Sequence, residues 1–334
     1  MVVDLKDVCA SNGSLVQRQP LVAVFFGGTG GIGSYTIRAL ATAEAKNNGK
    51  GLRMYIVGRN AAAADRILAE CREIFDRLCR EIITAEEQRG SDARIDYLMM
   101  SHAGMPYLPR KDTPEGLDTS MSLMYYSRMR ILTTLLPLLL RSRLPATVVS
   151  VYAAGAEAKL YPADLSLREP RLYSYSQARS HMCYMHCLFF EHVAAAAAGH
   201  KLSLIHIFPG LVPGPGYHDL QLPLWFRVLF HYVLLPFFGR WLTVKPRECG
   251  ERMVSLAATR ASYPAGTSDP DPSSSAGVKE TSPGSGVYSL TWSGESNYPA
   301  EKYAAVDKEG LRTKVYEHTM KAFQVIEEGG VFAE

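Results

Sequence analysis

The chain has no CxxC pair among its six cysteines (Cys9, Cys71, Cys79, Cys183, Cys187 and Cys249), no block of basic residues and no unbroken apolar run of membrane-spanning length. Each absence removes a class of protein. Scattered single cysteines argue against a disulfide scaffold and a dithiol redox centre. No pair of His, Cys or acidic residues has metal-site spacing, so no metal is expected. Thirty-six basic residues against 33 acidic ones leave a charge of +3, spread without the clustering that a nucleic-acid surface needs, so the expected partner is a small molecule. The longest apolar stretch, LPLWFRVLFHYVLLPFFGRWL at 222 to 242, is interrupted by Arg227, His231, Pro236 and Arg240. A spanning helix would bury those charges at a cost of several kcal/mol. The opening residues, MVVDLKDVCASNGS, lack the apolar segment of a secretion signal, so reduced thiols and a cytoplasmic location are expected.

What is present is a series of apolar runs that end in turn signals: LVAVFF (21 to 26), LRMYIV (52 to 57), IDYLMM (95 to 100), TVVSVY (147 to 152) and LSLIHIF (202 to 208). Longer stretches of helical periodicity separate them. Runs apolar on both faces suit strands covered by helices on each side, which predicts an α/β fold with a doubly wound parallel sheet. At 334 residues and 47% apolar content the chain fits one such domain over 1–334. The interval from Asn60 to Asp96 is irregular, because AAAADRILAECREIFDRLCREIITAEEQ reads as nearly uninterrupted helix with only IITA (82 to 85) as a strand candidate. The third, edge strand is therefore expected to be missing or vestigial. The Pro/Ser/Gly-rich stretch at 262 to 286 reads as a mobile insertion before a last strand, VYSLTW.

Between the first strand and the next helix lies GGTGGIG, with Gly27, Gly31 and Gly33. Glycine suits this place because a side chain would keep a pyrophosphate from the backbone, and the helix N-terminus offers unpaired N–H groups to its charge. After the second strand, Arg59 stands where an NAD-selective site would carry an acid; an arginine there can pair with a 2′-phosphate, favouring NADP(H).

The spacing GxxxGxG in GGTGGIG, with SHAG (101 to 104) where NNAG is usual and FPG (208 to 210) where the family has a Pro-Gly turn, resembles the short-chain dehydrogenase/reductase family over residues 21 to 260. The resemblance implies a Rossmann-like sheet and a nicotinamide cofactor. It assigns Gly27, Thr29, Gly31, Ile32 and Gly33 to the phosphate turn and Arg59 and Asn60 to the adenosine side. Ala103 and Gly104 fall to the end of the next strand, and Pro209 and Gly210 to the nicotinamide side. The family's adenine-side acid belongs to the missing third strand and has no counterpart.

Carbonyl reduction needs a proton for the developing alkoxide, and a phenol of pKa about 10 supplies it when a cation favours the phenolate. The family uses YxxxK. In YSYSQARSH (173 to 181), Tyr175 is followed four residues on by Arg179, whereas Tyr173 is followed by Gln177. Arg179 can supply charge but hardly exchanges a proton. Both tyrosines remain candidates for the acid, as does the reading in which they only pack. The family serine falls on Tyr152 or Ala153 without a gap and on Ser150 with a register shift, and the family's helical asparagine falls on Met124. His181 and His186 share the tyrosine helix and either could substitute as acid or base, although they read rather as helix-surface or satisfied core histidines.

The segment 211 to 245 carries Trp225, Phe226, Phe230, Tyr232, Phe237, Phe238 and Trp241. Such a wall suits a small, bulky apolar substrate; packing on the sheet and peripheral membrane contact through 222 to 242 are the alternatives. The tail within 301 to 330 reads as an amphipathic helix with Leu311, Val315, Met320, Phe323 and Ile326 inward. It is similar to C-terminal helices of longer fungal members of the family, which implies a polyketide or terpenoid intermediate of secondary metabolism. The resemblance also implies a homodimer through helices at 117 to 143 and 174 to 195. The expected activity is that of an NADP(H)-dependent reductase or dehydrogenase. The alternatives are a cyclase, isomerase or dehydratase-like enzyme on the same fold, and a non-catalytic binding partner.

Overall fold

The computed structural model describes residues 2–58, 64–103, 110–214, 224–229, 232, 239, 243–260 and 279–334. The apolar runs form strands β1 (Leu21–Phe26), β2 (Leu52–Val57), β3 (Tyr97–Met100), β4 (Ala146–Val151), β5 (Leu202–Ile207) and β6 (Val287–Leu290). They pair in parallel in the order β2-β1-β3-β4-β5-β6. All except β2 are buried along their length, which is why they read as continuous rather than alternating apolar runs.

One face of the sheet packs against α1 (Leu5–Arg18), α2 (Gly31–Lys46) and α6 (Pro246–Arg260). The other packs against α3 (Ala64–Glu87), α4 (Ser127–Leu139), α5 (Tyr175–Ala196) and α7 (Lys308–Glu327). Helix α1 carries Leu5, Val8, Leu15 and Val16 at helical spacing, a signal the sequence reading passed over. It is tied to α6 by the buried Asn12, whose Nδ2 donates to Glu251 O at 3.0 Å and Glu251 Oε2 at 2.8 Å. Helix α5 is apolar on most sides and correspondingly buried through most of its length. Helices α4 and α5, where a second subunit was expected, have α3 and α7 packed on them.

No strand lies outside β2 among the described residues, and IITA falls inside the helix α3. The outer strand is consequently half-buried, with Ile56 48% exposed. A polar clamp holds the end of α3 against it. Arg53 donates to Glu86 through Nε (2.6 Å) and Nη2 (2.7 Å), and Tyr55 Oη donates to the same carboxylate at 2.7 Å. Burial alone would raise the Glu86 carboxyl, but hydrogen bonds from Arg53, Tyr55 and the Arg94 N–H hold it below its ordinary value.

The tail divides into a turn at Ala300–Ala304 and helix α7, capped by the Asp307 carboxylate accepting from Gly310 N at 3.1 Å. Leu311, Val315, Phe323 and Ile326 are buried and Met320 is partly so. Beyond α7, Phe332 is buried and its N–H donates to Glu115 O at 2.9 Å. Most of the expected insertion, residues 261–278, lies outside the described residues. No helix among the described residues is long and apolar enough to cross a membrane.

Candidate active site

The connections leaving β1 and β2 carry the chain to opposite sides of β1, opening a crevice at the carboxyl ends of β1 and β3. There Gly27 adopts φ +90°, and the N–H groups of Gly27 and Gly28 both donate to Val57 O, at 2.8 and 2.9 Å. A Cβ at Gly27 would stand 2.6 Å from His102 N, and one at Gly33 would stand 2.4 Å from Gly27 O. Glycine thus lets α2 and the end of β3 close on the turn. Gly30, the N-cap of α2, has no side-chain cap. The first-turn amides at Gly31, Ile32 and Gly33 thus receive no side-chain cap from Gly30, and the helix dipole there favours an anion. Thr29 lies against Gly58, where a Cβ would come within 2.0 Å of its Cγ2.

The far wall follows β5. Pro209 is buried, Gly210 turns the chain at φ +73°, and Val244 N donates to Leu211 O at 2.9 Å. Tyr35 Oη on α2 donates to Pro213 O at 2.9 Å, tying this segment across the start of α2. Ala103 is exposed after β3. Arg59, Asn60 and Gly104 lie outside the described residues. A turn packed too closely for side chains, followed by a helix whose N-cap has no side-chain cap, fits a dinucleotide pyrophosphate.

Tyr175 is the first residue of α5 and is 40% exposed; Arg179 follows one turn later. Both act electrostatically on Tyr152, just after β4. Burial pushes the Tyr152 phenol well above its ordinary value, Cys183 and Tyr175 push the same way, and Arg179 and Arg128 oppose. The Tyr152 hydroxyl is buried without a hydrogen-bond partner among the described residues.

The other two catalytic candidates have different company. Tyr173 donates its hydroxyl to Asp118 Oδ2 at 3.0 Å and packs under Arg110. Ser150 is fully buried, its Oγ accepting from Arg128 Nη1 at 2.8 Å.

Arg128 itself is wholly buried. Its guanidinium also donates to Val151 O (2.8 Å) and His102 O (2.7 Å), joining α4 to the carboxyl ends of β3 and β4. Burial pulls its pKa down to about 10, so it remains a cation at neutral pH. Met124 lies in a π-helical turn, Ser122–Tyr126, one turn before Arg128. The sequence reading missed Arg128, although an arginine on the stripe Met124, Ile131 and Leu135 departs from the apolar face of its helix. His181 accepts from Tyr161 N through Nδ1 (3.4 Å) and its Nε2 lies 3.0 Å from Leu165 O, the arrangement of a satisfied core histidine. His186 donates Nδ1–H to Met182 O at 2.8 Å, and its ring stacks with His206 at 4.8 Å and with Tyr152 at 5.8 Å.

No protein-family model matches the chain. It is 37% identical to "Short-chain dehydrogenase/reductase SAT2" of Stachybotrys chartarum, an alignment covering 96% of this chain and 97% of that protein. "Oxidoreductase AN1596" of Emericella nidulans is 31% identical over 95% of this chain and 97% of its own. Among solved structures, the Pseudomonas aeruginosa RhlG/NADP active-site complex is 22% identical, with a TM-score of 0.47, covering 75% of this chain and 93% of that one.

Proposed function

The chain belongs to the short-chain dehydrogenase/reductase family, and from that premise we propose that it is a cytoplasmic NADP(H)-dependent reductase or dehydrogenase acting on a bulky apolar ketone or alcohol, of the polyketide or terpenoid kind. One observation carries the reading: the glycine turn and the end of β4 that leads into Tyr152 are linked along the carboxyl ends of the strands. His102 touches the turn, its carbonyl accepts from Arg128, and Arg128 bonds the end of β4.

When bound, the nicotinamide would exchange hydride with the carbonyl carbon. The first-turn amides of α2 would hold the pyrophosphate, and Arg59 would pair with the 2′-phosphate. Tyr175 donates its phenolic proton to the substrate oxygen. The Arg179 charge favours the phenolate left behind. Because guanidinium does not release a proton, Tyr175 is reprotonated from solvent, to which its exposure gives access. Exposed Leu224, Val228, Leu229 and Tyr232 support an apolar substrate.

A second reading keeps the crevice but not the hydride transfer, and the burial of Ser150 under Arg128 favours it. NADPH fluorescence titration and NADPH oxidation with a panel of polycyclic ketones test both. Tyr175→Phe is expected to bind NADPH normally and to lose about 100-fold or more in turnover, while Tyr173→Phe retains it. Undiminished reduction by Tyr175→Phe refutes the acid. Substrate turnover without NADPH oxidation selects the second reading.

A further inference from the structure

Behind the crevice lies a second group of reactive side chains that this chemistry does not use. Glu157, after β4, meets Cys187 on α5 and His206 on β5, all three buried. A carboxylate oxygen, the sulfur and an imidazole nitrogen lie within 4.8 Å of one another. Cys187 Sγ is 3.7 Å from Glu157 Oε1 and 3.8 Å from His206 Nδ1. For a thiol these are weak hydrogen bonds. A tetrahedral zinc ion, with Zn–S of about 2.3 Å and Zn–N of about 2.0–2.1 Å, would set sulfur and nitrogen roughly 3.5–3.6 Å apart, close to the spacing seen.

A second observation points the same way. The second oxygen of the carboxylate, Glu157 Oε2, is buried without a hydrogen-bond partner among the described residues, and no ion pair holds Glu157 among them. A buried carboxylate lacking a cation is costly. Tyr303 Oη donates to Glu157 Oε1 at 3.1 Å, orienting the carboxylate from outside, as outer-shell groups do for metal ligands.

We propose that Glu157, Cys187 and His206 bind a zinc ion. Thiolate and carboxylate together cancel the dication, and imidazole adds a neutral third ligand, so the buried site carries no net charge. Sulfur and nitrogen donors favour zinc over calcium or magnesium. Binding releases the Cys187 proton to solvent as the Zn–S bond forms. The ion would tie α5 and β5 to the segment that carries Tyr152, whose ring stacks 5.8 Å from His186 and 6.2 Å from His206. The separations of 30 and 19 residues hide this cluster from any local motif.

The test uses the untagged full chain, dialysed free of loose metal and analysed by mass spectrometry, then loaded with cobalt(II). About one zinc per chain and a thiolate-to-cobalt charge-transfer band are expected. Cys187→Ser and His206→Asn each remove the band or shift it, and Tyr303→Phe keeps it with affinity lowered about 10-fold or more. A folded wild-type chain that takes up cobalt without a thiolate band overturns the proposal, as does a band unchanged in Cys187→Ser. If that variant does not fold, the wild-type band decides alone. Neither readout involves NADPH, so the result is independent of the oxidoreductase reading.

Discussion

Replacing Glu86 by glutamine tests how the fold survives without its edge strand. The Glu86 side chain is inaccessible to solvent, and its two oxygens accept four hydrogen bonds: Arg53 Nε and Tyr55 Oη on one, Arg53 Nη2 and Arg94 N on the other. An amide in either orientation loses two of these and sets a donor against donors. Removing one partner of a buried ion pair costs about 3–5 kcal/mol. Arg53 is 29% exposed and rehydrates, so about 2–3 kcal/mol is expected. The assay is urea unfolding followed by circular dichroism, with Arg53→Met and the double variant completing a cycle. The pH dependence has a definite sign. The folded-state pKa is lowered, so the stabilisation is present above the unfolded carboxylate value of about 4.3 and is lost as pH falls through the folded one. The gap between wild type and Glu86→Gln should therefore close in acid. A difference below about 0.5 kcal/mol at neutral pH, or one that does not shrink in acid, refutes the reasoning. Because Val57 O at the end of β2 holds the Gly27 and Gly28 amides, the variant should also bind NADPH more weakly, and its freed strand edge should promote aggregation.

Gly33→Ala would place a Cβ 2.4 Å from Gly27 O; at about 1–3 kcal/mol of overpacking, NADPH affinity should fall about 10-fold or more, and an unchanged titration contradicts the pyrophosphate turn. Tyr152→Phe removes a buried hydroxyl that has no partner among the described residues, so stability should hold or rise; a loss above about 1 kcal/mol on urea unfolding would show that the hydroxyl is bonded. Burial lowers the pKa of His181 to about 4 and of His186 to about 3. Both are neutral in the fold but take up protons when unfolded below about pH 6.5, so each should cost about 2 kcal/mol by about pH 5. Thermal melts should fall across that interval, and a flat profile argues against neutral buried imidazoles.

The sequence by itself determined the parallel sheet, the glycine turn, the start of α5 at Ser174 and the inward face of α7, because each depends on residues within a few turns of one another. It also disclosed the lost edge, since nothing between Asn60 and Asp96 offers a β-branched run long enough to compete with helix. It did not disclose the anchor of α1, Asn12 on Glu251, 239 residues away. Nor could it choose among Ser150, Tyr152 and Ala153 or between Tyr173 and Tyr175, since one register step along β4 changes which side chain faces the crevice. The tertiary structure decided what surrounds each: Arg128 covers Ser150, and Asp118 engages Tyr173. Pairing Ser150 with His206 across β4 and β5 likewise assembles Glu157, Cys187 and His206. Local periodicity records which residues are buried, but only strand register and helix packing set which buried polar groups meet.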